Sequence, residues 1–192
     1  EMNVYPLDSS AGAVVLMNWG YINFDHKLDV QFEHHIRIKI LNSTEFDLAN
    51  IEIPYYRKDR VERLKAATYN LENGKVVEYE LDKDDIFDEN TSEYMKTKKF
   101  SLSNVREGSI IEYTYRVNYG SFNQIMPWYF QKEIPVMHSE YLVELPEAFE
   151  YKRIMRGYLP LQAAEMGKKN IMYNGSPLTL TTQHYVAKNI PA

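Results

Sequence analysis

Cysteine is absent from the 192 residues, which excludes a disulfide framework, a thiolate zinc site and a cysteine nucleophile. Long apolar runs are missing as well. The nearest candidate, AGAVVLMNWGYI, breaks at Asn18 and Gly20 and falls short of the roughly 18–20 residues a spanning helix needs. There is no surplus of basic charge: 22 Lys and Arg stand against 27 Asp and Glu, a net charge of −5. That balance speaks against a nucleic-acid partner, whose binding rests on neutralising phosphates. No Gly/Ser-rich or Pro-rich linker and no fixed-period repeat divides the chain, so a single domain over 1–192 is expected. The chain opens on Glu1 rather than Met, which reads as a piece trimmed from a longer polypeptide.

Helical periodicity is also scarce. Asp59–Leu64 and Leu161–Met166 suit one or two helical turns each, and no long 3.6-residue pattern occurs. What fills the chain instead is alternation. In DVQFEHHIRIKIL, Val30, Phe32, His34, Ile36, Ile38 and Ile40 share one face, with Gln31, Glu33, His35, Arg37 and Lys39 on the other. That is a strand with one face on a core and one in water. The pattern returns at Ile111, Tyr113, Tyr115, Val117 and Tyr119, and again over Met137–Leu145, with His138, Glu140 and Glu144 on the polar side. The 16 tyrosines fit strands whose half-buried faces have a wet edge.

Asn73-Gly74 and Asn174-Gly175 lie between such runs and supply the positive φ angles of tight hairpins. The second allows a longer loop, because Ser176 and Pro177 follow it. Glu107-Gly108-Ser109 predicts a turn between the Lys98–Leu102 and Ile110–Tyr119 strands. DKDDIFDENTSE reads as the longest polar loop. Regular strands with turns between them suggest an antiparallel sandwich or barrel.

Candidate chemistry is thin. His34 and His35 are adjacent on a strand and point to opposite faces, so they cannot share a metal. A hydrogen-bonded buried histidine beside an exposed one is the expectation. His26, His138 and His184 have no metal-ligand spacing. The acidic cluster Asp82, Asp84, Asp85, Asp88 and Glu89 fails the EF-hand spacing, with Ile86 in a ligand position and no Gly at the turn. Gly108-Ser109, Gly120-Ser121 and Gly175-Ser176 lack the second Gly of a nucleophile elbow and read as turns. No phosphate-binding glycine loop occurs, and no carboxylate pair stands out, although such pairs converge in space rather than along the chain. The Lys residues of Lys96–Lys99 alternate along a strand and read as an exposed, charged edge. One aromatic corner remains: Tyr119, Phe122, Trp128, Tyr129 and Phe130 form either core and rim packing or a stacking platform for a sugar or peptide. No catalytic residue, metal site or cofactor is expected.

Several blocks, in order, resemble the DUF3857 family: AVVLMNWGYINFD, VQFEHHIRIKILN, KAATYNLENGKVVEYEL, KKFSLSNVREGSIIEYTYRV, WYFQKEIPVMHSEYLVELP and the closing AKNIPA. They span nearly the whole chain, and the fourth and fifth carry most of the likeness. The resemblance implies an all-β fold, an antiparallel two-sheet β-sandwich of the immunoglobulin-like or supersandwich type with little helix. It implies an exported or envelope protein, periplasmic or secreted, of Bacteroidetes-like bacteria. The domain would stand N-terminal to a transglutaminase-like domain that holds the Cys-His-Asp chemistry. The expected function is a non-catalytic module that packs on that domain or presents substrate to it. The alternative is an independent carbohydrate- or peptide-binding module using the aromatic corner.

Overall fold

A computed structural model of the chain describes residues 2–25, 27–119 and 125–192. His26 and Phe122, and the Gly120-Ser121 pair, lie outside the described residues. Eleven strands are described: β1 (Ala13–Phe24), β2 (Val30–Ile40), β3 (Asn50–Tyr56), β4 (Arg60–Glu72), β5 (Lys75–Glu80), β6 (Phe87–Asn90), β7 (Met95–Ser101), β8 (Ile110–Tyr119), β9 (Val136–Pro146), β10 (Gln162–Tyr173) and β11 (Ser176–Ile190). Eight form one sheet in the order β10-β11-β9-β1-β2-β8-β4-β5, and three form a second in the order β3-β7-β6. The two make a β-sandwich. Every pairing is antiparallel except β1 with β9, which run parallel at the centre of the large sheet.

The alternating faces decide how the sheets meet. Ile36, Ile38 and Ile40 of β2 and Ile111 of β8 turn inward, and the small sheet lays Ile51, Ile53 and Phe100 against them. All seven are 5 % exposed or less, and β-branched side chains suit such a pleated, buried surface. The small sheet covers only part of the large one. Over the remainder, around Ile22, Val30, Val117, Tyr141 and Val143, the cover comes from Ile125, Met126, Trp128 and Phe130 of an irregular segment.

Both Asn-Gly pairs make two-residue hairpin turns. Glu72 pairs with Lys75 and Tyr173 with Ser176, and all four turn residues have positive φ. Ser176 is therefore already in register, and the longer second loop is corrected. The Gly108 turn, at φ 87, crosses from the small sheet to the large one. Ser109 is fully buried there and donates to Asn70 Oδ1 at 2.6 Å.

The two helical stretches are corrected to strands. Arg60–Glu72 is β4, whose alternation is broken by a bulge between Glu62 and Lys65, with Arg63 at φ 54. Residues 162–173 form β10, which has a bulge between Glu165 and Gly167. A bulge moves later side chains to the other face and erases the period-2 signal. Short 3-10 turns occur instead at Ser43–Ala49 and Lys83–Asp85, where Asn42 and Asp82 accept from the amides of Thr44 and Asp84. The polar loop is shorter than expected, because Phe87–Asn90 within it is β6. For the same reason Lys96–Lys99 does not lie on an edge: β7 is the middle strand of its sheet. Its lysines face carboxylates on both neighbours, Lys98 with Asp88 at 2.8 Å and Lys99 with Glu52 and Glu89 at 3.0 and 2.6 Å.

Candidate functional site

Five strands of the large sheet place one row of residues side by side: Tyr115, His34, Gly20, Tyr141 and Tyr185. Four carry rings and the central one carries nothing. Trp128 fills that notch. A Cβ on Gly20 would lie 2.3 Å from its Cζ3, so only glycine admits the indole here. The Trp128 ring stacks on Tyr141, with centroids 5.0 Å apart and planes 3° from parallel. It meets His34 edge to face at 5.4 Å and Phe130 at 6.4 Å. The irregular segment is also fixed through its backbone, since Tyr141 donates its hydroxyl to Met126 O at 3.1 Å.

Polar atoms beneath the indole form a continuous chain. His34 Nε2 lies 2.8 Å from Asn18 Oδ1, and its Nδ1 lies 3.1 Å from the Tyr115 hydroxyl. Asn18 donates its amide to Ser139 Oγ at 3.2 Å, and Trp128 Nε1 donates to the same oxygen at 3.1 Å. This arrangement assigns the proton of neutral His34 to Nε2, with Tyr115 donating to Nδ1. Burial is the chief reason the His34 pKa falls to about 3, with the charges of Lys132 and His35 adding to it. Burial likewise pushes the Tyr115 phenol well above its ordinary value. Both imidazole nitrogens are engaged, and Ser139, fully buried, touches Asn18 and Trp128 rather than the imidazole. The chain of groups therefore holds the core in register and offers no activated hydroxyl.

The opposite face of the sheet carries His35, His138 and His184. Glu140 accepts from His138 at 3.0 Å and from His184 at 2.7 Å. Glu112 lies 2.5 Å from His35 and pairs with Arg37 at 2.7 Å. Burial raises both carboxyl groups, but these hydrogen bonds outweigh it and hold both below the ordinary glutamate value. Among the described residues no group of three or more His, Asp or Glu is placed to hold a metal ion. Of the acidic loop, Asp88 is taken up by Tyr55 at 2.9 Å and Lys98 at 2.8 Å.

The aromatic corner is thus divided. Tyr119 is buried, Trp128 and Phe130 are half-buried and in contact, and Tyr129 is exposed. Sequence reasoning missed Gly20, Asn18, Ser139, Tyr141 and Tyr185. One signal was available, a lone glycine inside an apolar strand, which marks close approach by another group. Trp128 also walls a groove of about 440 Å³ that runs over Tyr141 and Tyr185 toward residues 151–155.

The fold is a two-sheet β-sandwich whose aromatic row is plugged by an irregular segment. The chain belongs to the DUF3857 family, described as a domain of unknown function with a solved structure, whose profile matches residues 27–171. No curated protein matches the chain at a significant level. Among solved structures it is similar to a protein from Parabacteroides distasonis assigned as a protease, at TM-score 0.63 and 13% identity, over 94% of this chain and 36% of that one. The chain thus spans about a third of that protein's length. An M1 zinc metallopeptidase from Deinococcus radiodurans aligns over 96% of this chain and 44% of its own, at 10% identity. Its TM-score of 0.36 is too low to bear on the fold.

Proposed function

We propose that this chain is a non-catalytic β-sandwich module, a single domain over 1–192, that packs on a transglutaminase- or protease-like domain following it in the same polypeptide, or presents substrate to it. The observation that carries this reading is the match to the Parabacteroides distasonis protein. There the same fold accounts for 36% of a chain assigned as a protease, and almost all of the present chain takes part in the match. The engaged state of the polar groups supports it too: Glu112, Glu140 and His34 all hold protein partners. A periplasmic or secreted location at the cell envelope is part of the proposal and follows from the family resemblance.

Assays of the isolated 192-residue chain for peptidase, amidase and transamidase turnover test the reading. No turnover is expected from the module. Turnover is expected from a longer polypeptide that carries it together with the next domain, and deleting the module is expected to lower that activity. Robust turnover by the isolated chain, or full activity of the deletion variant, overturns the proposal.

A further inference from the structure

The groove beside Trp128 has a floor formed by Tyr141, Val143 and Tyr185, on the core face of β9 and β11. One wall is the irregular segment with Met126 and Trp128. The other is a strap over residues 151–161 that reaches back across the sheet, with Arg153 Cζ 5.9 Å from the Tyr185 ring centroid. Two features of this strap indicate an occupant.

Ile154 is 68 % and Met155 55 % exposed although both line the groove, an apolar rim of the kind that marks an interaction site. Lys152, Arg153 and Arg156 have no ion-pair partner among the described residues, whereas the lysines of β7 are paired with carboxylates across their sheet. These cations without a carboxylate partner, of which Arg153 donates to the Tyr185 hydroxyl at 3.4 Å, sit on a chain of net charge −5. An apolar floor and cations at the rim complement an apolar group joined to a carboxylate.

We propose that this groove binds an extended peptide segment in which a bulky apolar side chain adjoins an acidic residue. The apolar side chain lies over Tyr141 and Tyr185, and the carboxylate faces Lys152 and Arg153. Three of the lining side chains, Lys152, Arg153 and Gln183, are polar among apolar ones. That mixture suits a peptide's backbone and mixed side chains better than the unbroken tail of a fatty acid. The inference takes up the peptide-binding alternative and holds whether or not a following domain receives the ligand.

Isothermal titration of the 192-residue chain tests it without reading any enzymatic activity. The probes are a peptide with a central Leu-Phe pair flanked by Asp residues, the same peptide flanked by Lys, dodecanoate, and phosphatidylglycerol vesicles. The Asp-flanked peptide is expected to bind with a Kd on the order of tens of micromolar, and the Lys-flanked one about tenfold more weakly or worse. Arg153→Glu, an exposed change, is expected to weaken the Asp-flanked peptide about tenfold, the size of a charge-assisted hydrogen bond. Ile154→Ser, at a side chain 68 % exposed, is expected to weaken it while leaving Tm unchanged, which a purely structural isoleucine would not do. Equal binding of the two peptides, no peptide binding at millimolar concentration, binding of dodecanoate or vesicles alone, or an unaltered Arg153→Glu affinity each overturns the proposal.

Discussion

The two halves of the large sheet's inner face are covered in different ways, and the residues beneath each cover differ to match. Under the small sheet, β2 presents Ile36, Ile38 and Ile40 to Ile51, Ile53 and Phe100. A sheet satisfies its own backbone, so the surface it meets can be wholly apolar. Further along the same strand, Phe32 and His34 lie under residues 125–130, which make no regular strand. An irregular cover brings polar backbone groups that need partners, and here Tyr141, Ser139, Asn18, His34 and Tyr115 take part in the polar chain beneath it. Tyrosine serves this half well, because it supplies apolar area and a polar tip together. One strand therefore serves two kinds of core, one held by packing alone and one by packing around a hydrogen-bonded chain.

The largest expected effect is in the sheet-covered half. Phe100→Ala removes a side chain only 3 % exposed and is expected to cost about 4 kcal/mol in the global unfolding seen by denaturant titration. Trp128→Ala is expected to cost less, about 2–3 kcal/mol, because its ring is half-buried. Hydrogen exchange should then show opening confined to the loop-covered half. If exchange rises equally in β3 and β7, the two halves are not separable. Gly20→Ala is expected to cost about 2 kcal/mol through overpacking against the indole. The same change in a Trp128→Ala background should cost far less, because the clash is gone. Additive costs would show that the indole does not occupy the Gly20 notch.

Acid should distinguish the halves as well. His34 is held near 3 in the folded chain against 6.5 when free, so between those values the unfolded chain binds more protons. Stability is then complete above pH 6.5 and declines as pH falls toward 3, by up to about 1.4 kcal/mol per unit. Glu112 and Glu140, held below the glutamate value, add their own loss only near and below pH 4.5. Unfolding measured from pH 6.5 to 5 should therefore be less pH-dependent in His34→Gln than in the parent chain. Parallel curves would show that His34 titrates normally. At the small end, Lys99→Ala removes exposed ion pairs with Glu52 and Glu89, and no measurable change in Tm is expected.

The sheet-covered half was legible because its information is local. Alternation at Ile36, Ile38, Ile40 and Ile111 names the buried face without reference to any partner, and Asn-Gly names a hairpin turn. The alternation also placed His34 in the apolar row and His35 in the polar one, as found. Partners were not legible. Nothing near Trp128 points to Gly20, which lies in β1 far earlier in the chain, and the groove arises only when residues 151–155 fold back over Tyr185. Bulges hid β4 and β10 by interrupting the period that would have revealed them. β6 is short, exposed and acidic, so it reads as loop until β7 supplies the lysines that pair with it.

The parallel pairing of β1 and β9 has a consequence for the order in which the chain folds. Asn18 and Ser139, hydrogen-bonded partners at that seam, are 121 residues apart, and parallel neighbours cannot be brought together by a tight turn. During synthesis β1 and β2 can pair early, but the far edge of β1 stays uncovered until most of the chain has emerged. The centre of the finished sheet is then among its last parts to close. Such long-range closure slows folding and leaves an open strand edge in the meantime. The half of the core that depends on Trp128 would be the last to form, because its floor does not exist until β9 has docked.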